Sequence, residues 1–266
     1  MTAHAIPSRA RPPGRGFSEL VKVETKLALR VPVGVVLGIV VPVIFLVIFN
    51  AIPALRKPAA GTTLTLFAQY VPVLICLSLC LIALVSLPIP LVTYRQMGVL
   101  RRFSTTPAPR SWLLAAQVVT NLAMAVTAII ILVAGAAVFF GVPLAPQLAG
   151  FVLSTVLAIA AMFAIGLLIA AVAPAPAVAG VIGTVLLYPL LFFAGLWAPR
   201  QNLSPLWQHI GNYTPLSAAV QAREAAMHGH FPAAQPLLVM AAYAIAFSIA
   251  ATSFTFPEGT AVNTLR

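Results

Sequence analysis

The sequence predicts an all-α polytopic membrane protein with six transmembrane helices, and three observations carry that prediction. The 266 residues are 61% hydrophobic and only 7% charged. Their mean hydropathy is +1.05, a value that soluble domains do not reach because so much apolar surface needs a hydrocarbon solvent. No Asp, Glu, Lys or Arg occurs in residues 111–199, a stretch long enough for three spans of about 20 residues each.

The N-terminal segment divides into two parts. Residues 1–16 are basic and rich in Pro and Gly, so we expect them to be disordered. In residues 17–30 the apolar and charged side chains fall on opposite sides of a helical projection, which predicts an interfacial amphipathic helix. Glu24 is the exception, because its angle places a carboxylate on the apolar face. It either reaches water at the rim or pairs with a cation, for which we consider Arg101 or Arg102.

Six apolar segments of spanning length form one membrane domain over residues 31–254, followed by a tail of residues 255–266. The predicted spans are residues 31–52, 70–92, 112–140, 148–173, 177–197 and 236–254. The connection between the fifth and sixth spans is too polar to cross the membrane. Its residues Leu216, Ala219, Val220 and Arg223 recur at helical spacing, which predicts a short helix packed on or dipping into the outer leaflet.

The distribution of Lys and Arg predicts the orientation of the chain. The N-terminal segment, the loop between the second and third spans and the tail hold eleven of these residues, and the opposite side holds four. By the positive-inside rule, both termini lie in the cytoplasm of a multi-pass protein of the plasma (inner) membrane. The net charge of +11 does not indicate a nucleic-acid partner, because the cations flank apolar spans and face the lipid bilayer.

The sequence lacks the residues of several kinds of chemistry. No glycine-rich loop followed by Lys occurs, so the chain has no recognisable ATP-binding loop. The predicted spans hold no ionisable carboxylate or basic group, which disfavours ion-coupled transport. His228 and His230 have no Cys or Asp nearby, so no metal site is predicted. Cys76 and Cys80 lie one helical turn apart in an apolar run and are interpreted as small core residues.

The loop between the second and third spans concentrates four arginines in residues 94–112. If residues 94–103 are helical, Arg95 and Arg102 lie on one face with Gly98 between them. The remaining side is apolar: Met97, Val99, Leu100 and Phe103. Such a face would fit a groove on a partner protein. Positive charge alone is enough to fix the membrane topology, so the apolar face needs another explanation. The alternative is that the arginines only fix the orientation and contact lipid phosphates.

Two motifs connect these features with a known family. The first is Gly98-Val-Leu100-Arg101-Arg102-Phe103-Ser-Thr-Thr106-Pro107. The second begins with Phe193-Ala-Gly195-Leu-Trp197-Ala-Pro199 and continues through Ser204-Pro205-Leu-Trp207, Tyr213-Thr-Pro215-Leu and Arg223-Glu224 to Gly229. In order and spacing, the chain resembles the permeases of type-2 ABC exporters, the daunorubicin-resistance-like membrane subunits, from Phe17 to about Phe254.

The resemblance implies a membrane-spanning permease subunit that works as an exporter by alternating access. The absence of charged residues from the predicted spans suggests an amphiphilic or lipophilic substrate, such as a drug, an antibiotic or a lipid. The resemblance implies a second copy or a homologous permease, and two copies of a separate ATP-binding subunit that holds ATP and Mg. The chain itself would then bind no cofactor and be no enzyme. The competing interpretation is a membrane scaffold that recruits a soluble partner through the arginine-rich loop without transport.

The resemblance also implies roles for individual residues. The coupling helix, which would contact the ATP-binding subunit, corresponds to Arg95, Gly98, Leu100, Arg101, Arg102, Phe103 and Pro107. Glu24 belongs to the connecting helix beside it. The second and fifth spans would line the translocation path, which nominates Tyr188, Phe192 and Phe193, although aromatic residues there also suit plain packing. The extracytoplasmic helices would include Pro199, Pro215, Arg223 and Glu224.

Overall fold

The computed structural model describes residues 13–30, 33–58, 64–98, 111–197 and 199–255. We number the longer helices of this part of the chain in order. They are α1 (Pro13–Arg30), α2 (Val33–Ala51), α3 (Leu66–Gln96), α4 (Ser111–Phe140), α5 (Leu148–Val172), α6 (Pro176–Ala194), α7 (Pro205–Asn212), α8 (Pro215–Met227) and α9 (Ala234–Thr255). Helices α2 to α6 and α9 are long and apolar enough to cross a membrane, which confirms the predicted six-span architecture.

The helix ends differ from the predicted ones by a few residues, and local chemistry explains two of them. Helix α1 is already helical at Pro13, the first described residue, so it includes four residues before the predicted start at residue 17. Helix α3 starts at Leu66, because the Thr65 hydroxyl accepts a hydrogen bond from the Ala68 N–H at 3.2 Å. Helix α6 stops before Gly195, whose φ of 90° ends the helix in the left-handed region.

Helix α3 is the central element of the bundle. In the most apolar stretch of α3, 78% is buried inside the protein, whereas the corresponding share is 17% for both α2 and α9. It packs against α2, α4, α5, α6 and α8, and its buried side chains form the middle of the hydrophobic core. The remaining apolar surface of α2, α4 and α9 faces outwards, as expected for helices that lipid solvates.

A π-helical segment interrupts α3 at Leu81–Ser86, where the Leu87 N–H donates to the Ile82 carbonyl at 2.9 Å. The Ala83 carbonyl therefore does not receive the Leu87 N–H. Pro88 has no N–H to donate to the Leu84 carbonyl four residues earlier. These two carbonyls face glycines of neighbouring helices. A Cβ placed on Gly166 of α5 would collide with the Ala83 oxygen, and a Cβ on Gly183 of α6 would collide with the Leu84 oxygen.

The end of α3 corrects one prediction about the arginine-rich loop. The helix ends at Gln96, and Met97 and Gly98 form a turn in which Gly98 has a φ of 67°. A single helix over residues 94–103 is therefore wrong, because a left-handed residue interrupts the helical path. Residues 99–110 lie outside the described part of the chain.

Candidate functional site

A cluster of polar side chains surrounds Glu24 where α1 crosses α3 and α4. Glu24 is only 4% exposed. The Tyr94 hydroxyl donates to its carboxylate at 2.9 Å and 3.2 Å, and the Gln117 amide donates at 2.6 Å. Burial raises the pKa of Glu24 above its ordinary value, and the two hydrogen bonds oppose that change. The predicted partners Arg101 and Arg102 lie outside the described residues, so that pairing stays a prediction.

The polar residues of α4 complete this cluster. Gln117, Thr120 and Asn121 share one face of the helix because they are spaced by three and four residues. The Asn121 Nδ2 donates to the Gln117 carbonyl at 2.9 Å and lies 3.3 Å from the Gln117 Oε1. The Asn121 Oδ1 is buried and has no hydrogen-bond partner among the described residues. Sequence reasoning missed this face, although three polar residues at helical spacing in an apolar span were a usable signal.

A cavity of about 300 Å³ lies beside the cluster. Its walls come from the second half of α1, the start of α2, the last turns of α3 and the first turns of α4. Glu24, Tyr94, Gln117, Thr120 and Asn121 all line it. We call this end of the bundle, where α1 and the end of α3 meet, the α1 end.

The last turn of α3 is bound to the end of α5. The Arg95 Nη1 donates to the carbonyls of Ala170 at 3.1 Å and Ala171 at 2.9 Å, and its Nη2 donates to the Ala173 carbonyl. The Gln96 amide donates to the Pro174 carbonyl at 3.1 Å. The final carbonyls of a helix have no partner within it and carry partial negative charge, so a guanidinium here stabilises α5.

This geometry gives Arg95 a role within its own chain, and its predicted contact with another subunit stays a prediction. Gly98 is the last described residue of the turn, and a Cβ there would meet nothing within 4 Å. The other predicted coupling residues lie outside the described ranges: Leu100, Arg101, Arg102, Phe103 and Pro107.

Arg223 is buried at the opposite end of the bundle. It is 0% exposed on α8, its Nη1 donates to the Cys76 Sγ at 3.0 Å, and its Nε donates to the Thr155 hydroxyl at 3.3 Å. Its Nη2 has no partner in the described part of the chain. Helix α8 starts at Pro215, as the periodicity of Leu216 and its neighbours predicted. Cys76 and Cys80 are buried and free, as predicted, but the contact of Cys76 with Arg223 was not foreseen.

Glu224 follows Arg223 and lines a second cavity of about 230 Å³ together with Pro199, Arg200 and Tyr70. Burial raises the pKa of Glu224 from 4.5 to about 7, and the positive charge of Arg200 opposes that rise. Arg200 donates from its Nη2 to the Asn212 Oδ1 at 2.7 Å.

The raised pKa of Glu224 predicts a pH-dependent stability. Between its ordinary value of 4.5 and about 7, the folded state holds the proton more tightly than the unfolded chain. Stability should therefore fall as the pH rises through this window. The melting temperature is measured in detergent from pH 5 to pH 8. We expect its dependence on pH to be weaker in Glu224→Gln than in the unmodified chain. Glu19→Gln, which neutralises an exposed carboxylate, is the control and should keep the slope. An unchanged slope in Glu224→Gln would contradict the assignment.

The predicted translocation residues occupy the second half of α6. Tyr188 is exposed on the surface of the chain. Phe192 and Phe193 have ring centroids 5.5 Å apart and lie 6.2 Å and 6.0 Å from the Trp207 ring of α7. The two phenylalanines thus pack the C-terminal end of α6 against α7, and their contact with a substrate stays a prediction.

Comparison with known families covers most of the chain. The model of the ABC-2 type transporter family matches residues 15–228, from the start of α1 to the end of α8. No curated protein matches the sequence. The matched region contains the Glu24 cluster, the Arg95 contacts and both cavities. The chain is therefore a membrane component of an ABC transporter and belongs to the ABC-2 type transporter family.

Proposed function

We propose that this permease subunit exports an amphiphilic or lipophilic substrate out of the cytoplasm or the inner leaflet. Apart from Arg95 at the end of α3, the described residues of the six spans contain no Asp, Glu, Lys or Arg. A strongly ionic substrate would require compensating charges along its path, which supports an apolar or amphiphilic one. Both termini would be cytoplasmic in the plasma membrane, as the distribution of Lys and Arg supports.

The energy would come from two copies of a separate ATP-binding subunit, each holding ATP and Mg. The proposed contact is the loop that follows Gln96. The observation that carries this mechanism is the double attachment of the end of α3. Tyr94 binds Glu24 of α1, and Arg95 binds the carbonyls of Ala170 and Ala171 in α5.

A displacement of the loop would move α1, α3 and α5 together, because hydrogen bonds join all three at the α1 end. Two such permeases, rocking between inward-open and outward-open arrangements, would give alternating access. The substrate path would run beside Tyr188, Phe192 and Phe193. In a scaffold without transport, by contrast, the loop would bind its partner and no turnover would depend on a substrate.

Purification from native membranes tests the proposal. We expect an ATPase with a phosphate-binding loop to copurify, and native mass spectrometry should give two permeases and two ATP-binding subunits. Amphiphilic compounds should change the ATPase turnover of the complex. A complex without an ATPase, or an ATPase whose turnover no amphiphile changes, would favour the scaffold.

A further inference from the structure

We propose that the cavity beside Glu24 binds an organic ammonium group that carries N–H donors and a hydrocarbon chain. This proposal goes beyond the exporter function, because such binding requires neither the ATP-binding subunit nor a transport cycle. The site lies between α1, α2, α3 and α4, apart from the predicted translocation residues of α6.

The first argument is the charge of the cavity. Of the residues that the structure describes, Glu24 is the only charged one that lines it. In the described part of the chain, the donors to its carboxylate are neutral ones, Tyr94 and Gln117, and no Lys or Arg lies within 4 Å. A buried carboxylate without a cation among the described residues is costly, so the site favours a positively charged occupant.

The second argument is an unused acceptor. The Asn121 side chain is 4% exposed and lines the same cavity. Its amide nitrogen is occupied by Gln117, whereas its Oδ1 has no partner among the described residues. Buried polar atoms are nearly always hydrogen-bonded, so a free acceptor beside a carboxylate indicates a missing donor. A primary ammonium has three N–H groups and can serve both acceptors.

The third argument is the apolar remainder of the cavity. Its other walls are mainly aliphatic: Leu27, Val33, Leu37, Val85, Ile89 and Met124. Leu27 is 44% exposed and Val33 is 61% exposed, so the cavity reaches the surface of the chain between α1 and the start of α2. An amphiphile could therefore place its head at Glu24 and leave its chain along this opening. The volume of about 300 Å³ accommodates the head and the first part of the chain.

Binding of dodecylammonium to the permease in phosphatidylcholine nanodiscs tests the proposal, with empty nanodiscs subtracted. We expect saturable binding by calorimetry, and a loss of at least about tenfold in affinity for Glu24→Gln and for Asn121→Ala. Glu19→Gln removes an exposed carboxylate from the same helix and should bind as the unmodified chain does. Dodecanol, which lacks the charge, and dodecyltrimethylammonium, which lacks N–H donors, should both bind more weakly than dodecylammonium.

The membrane contains its own source of this group, because phosphatidylethanolamine carries a primary ammonium. Nanodiscs that contain this lipid form a second arm of the experiment. A reduced apparent affinity for dodecylammonium would identify the lipid as an occupant, and an unchanged affinity would indicate a free amphiphile.

Unchanged binding in folded Glu24→Gln would overturn the proposal, as would equal binding of dodecanol. If Glu24→Gln fails to fold, Asn121→Ala decides, because it removes the unused acceptor and leaves the carboxylate in place. The experiment uses the permease without its ATP-binding partner. Its failure would therefore leave the exporter proposal intact, and the absence of a copurifying ATPase would leave this site intact.

Discussion

Gly183→Ala is expected to destabilise the bundle by about 1–3 kcal/mol, although alanine is the better helix former. The added Cβ would collide with the Leu84 carbonyl oxygen in the π-helical segment of α3. A backbone oxygen cannot rotate away as the end of a flexible side chain can, so α6 must move away from α3. Gly166→Ala should act in the same way, because its Cβ would collide with the Ala83 oxygen.

Matched alanine substitutions separate the collision from the change in helix propensity. A Cβ on Gly180, three residues earlier on α6, would meet Ile89 at 3.5 Å, an ordinary contact. A Cβ on Gly135 of α4 would meet Leu46 at 3.7 Å. The stability of all four variants is measured by unfolding them in mixed micelles with an increasing share of denaturing detergent. Equal stability of Gly183→Ala and Gly180→Ala would contradict the close approach of the helices.

The spans were predictable because hydropathy is a local property of the sequence. A segment of about 20 apolar residues crosses the bilayer whatever its neighbours are. The spacing of Leu216, Ala219, Val220 and Arg223 likewise predicted helix α8, but the complete burial of Arg223 was not predicted. The helix ends were less accurate, because capping by Thr65 and Gly195 shifts them by a few residues.

The partners in the site were not predictable, because they depend on how the helices pack. Sequence reasoning identified Glu24 as a carboxylate on the wrong face of its helix. It could not identify Tyr94 or Gln117, which are 70 and 93 residues away along the chain. The contact of Arg95 with a partner subunit was implied by the family resemblance and by the apolar face of a helix over residues 94–103. The turn at Gly98 interrupts that helix and the guanidinium lies on the end of α5, while the contact with a partner stays a prediction.

Reversing Arg101 and Arg102 together to glutamate is expected to abolish both association with the ATP-binding subunit and transport. The introduced glutamates would repel the acidic groups of the ATP-binding subunit with which the arginines are proposed to pair. Losing a charge pair at an interface costs about 2–5 kcal/mol, which corresponds to about thirtyfold weaker binding or more. Titration of the purified ATP-binding subunit onto the permease in nanodiscs measures the loss. Normal association and transport by this double variant would contradict the proposed contact.

Arg95→Ala provides the contrasting variant. Its guanidinium binds the carbonyls of Ala170, Ala171 and Ala173, so its removal should lower the melting temperature of the permease alone. The double reversal should instead weaken association with the ATP-binding subunit. A fall in stability without a separate loss of affinity would assign Arg95 to α5 rather than to the interface.

The double reversal also separates the coupling role from the alternative that these arginines only set the orientation. It reduces the Lys and Arg count on the predicted cytoplasmic side from eleven to nine, against four on the other side. Acidic residues contribute little to orientation, so the chain should still insert with its N-terminus in the cytoplasm. Labelling of a single cysteine introduced near the N-terminus, in a background with Cys76 and Cys80 replaced, reports this directly. Lost association with unchanged labelling would show that the loop does more than orient the helices, whereas inverted labelling would support the topological role.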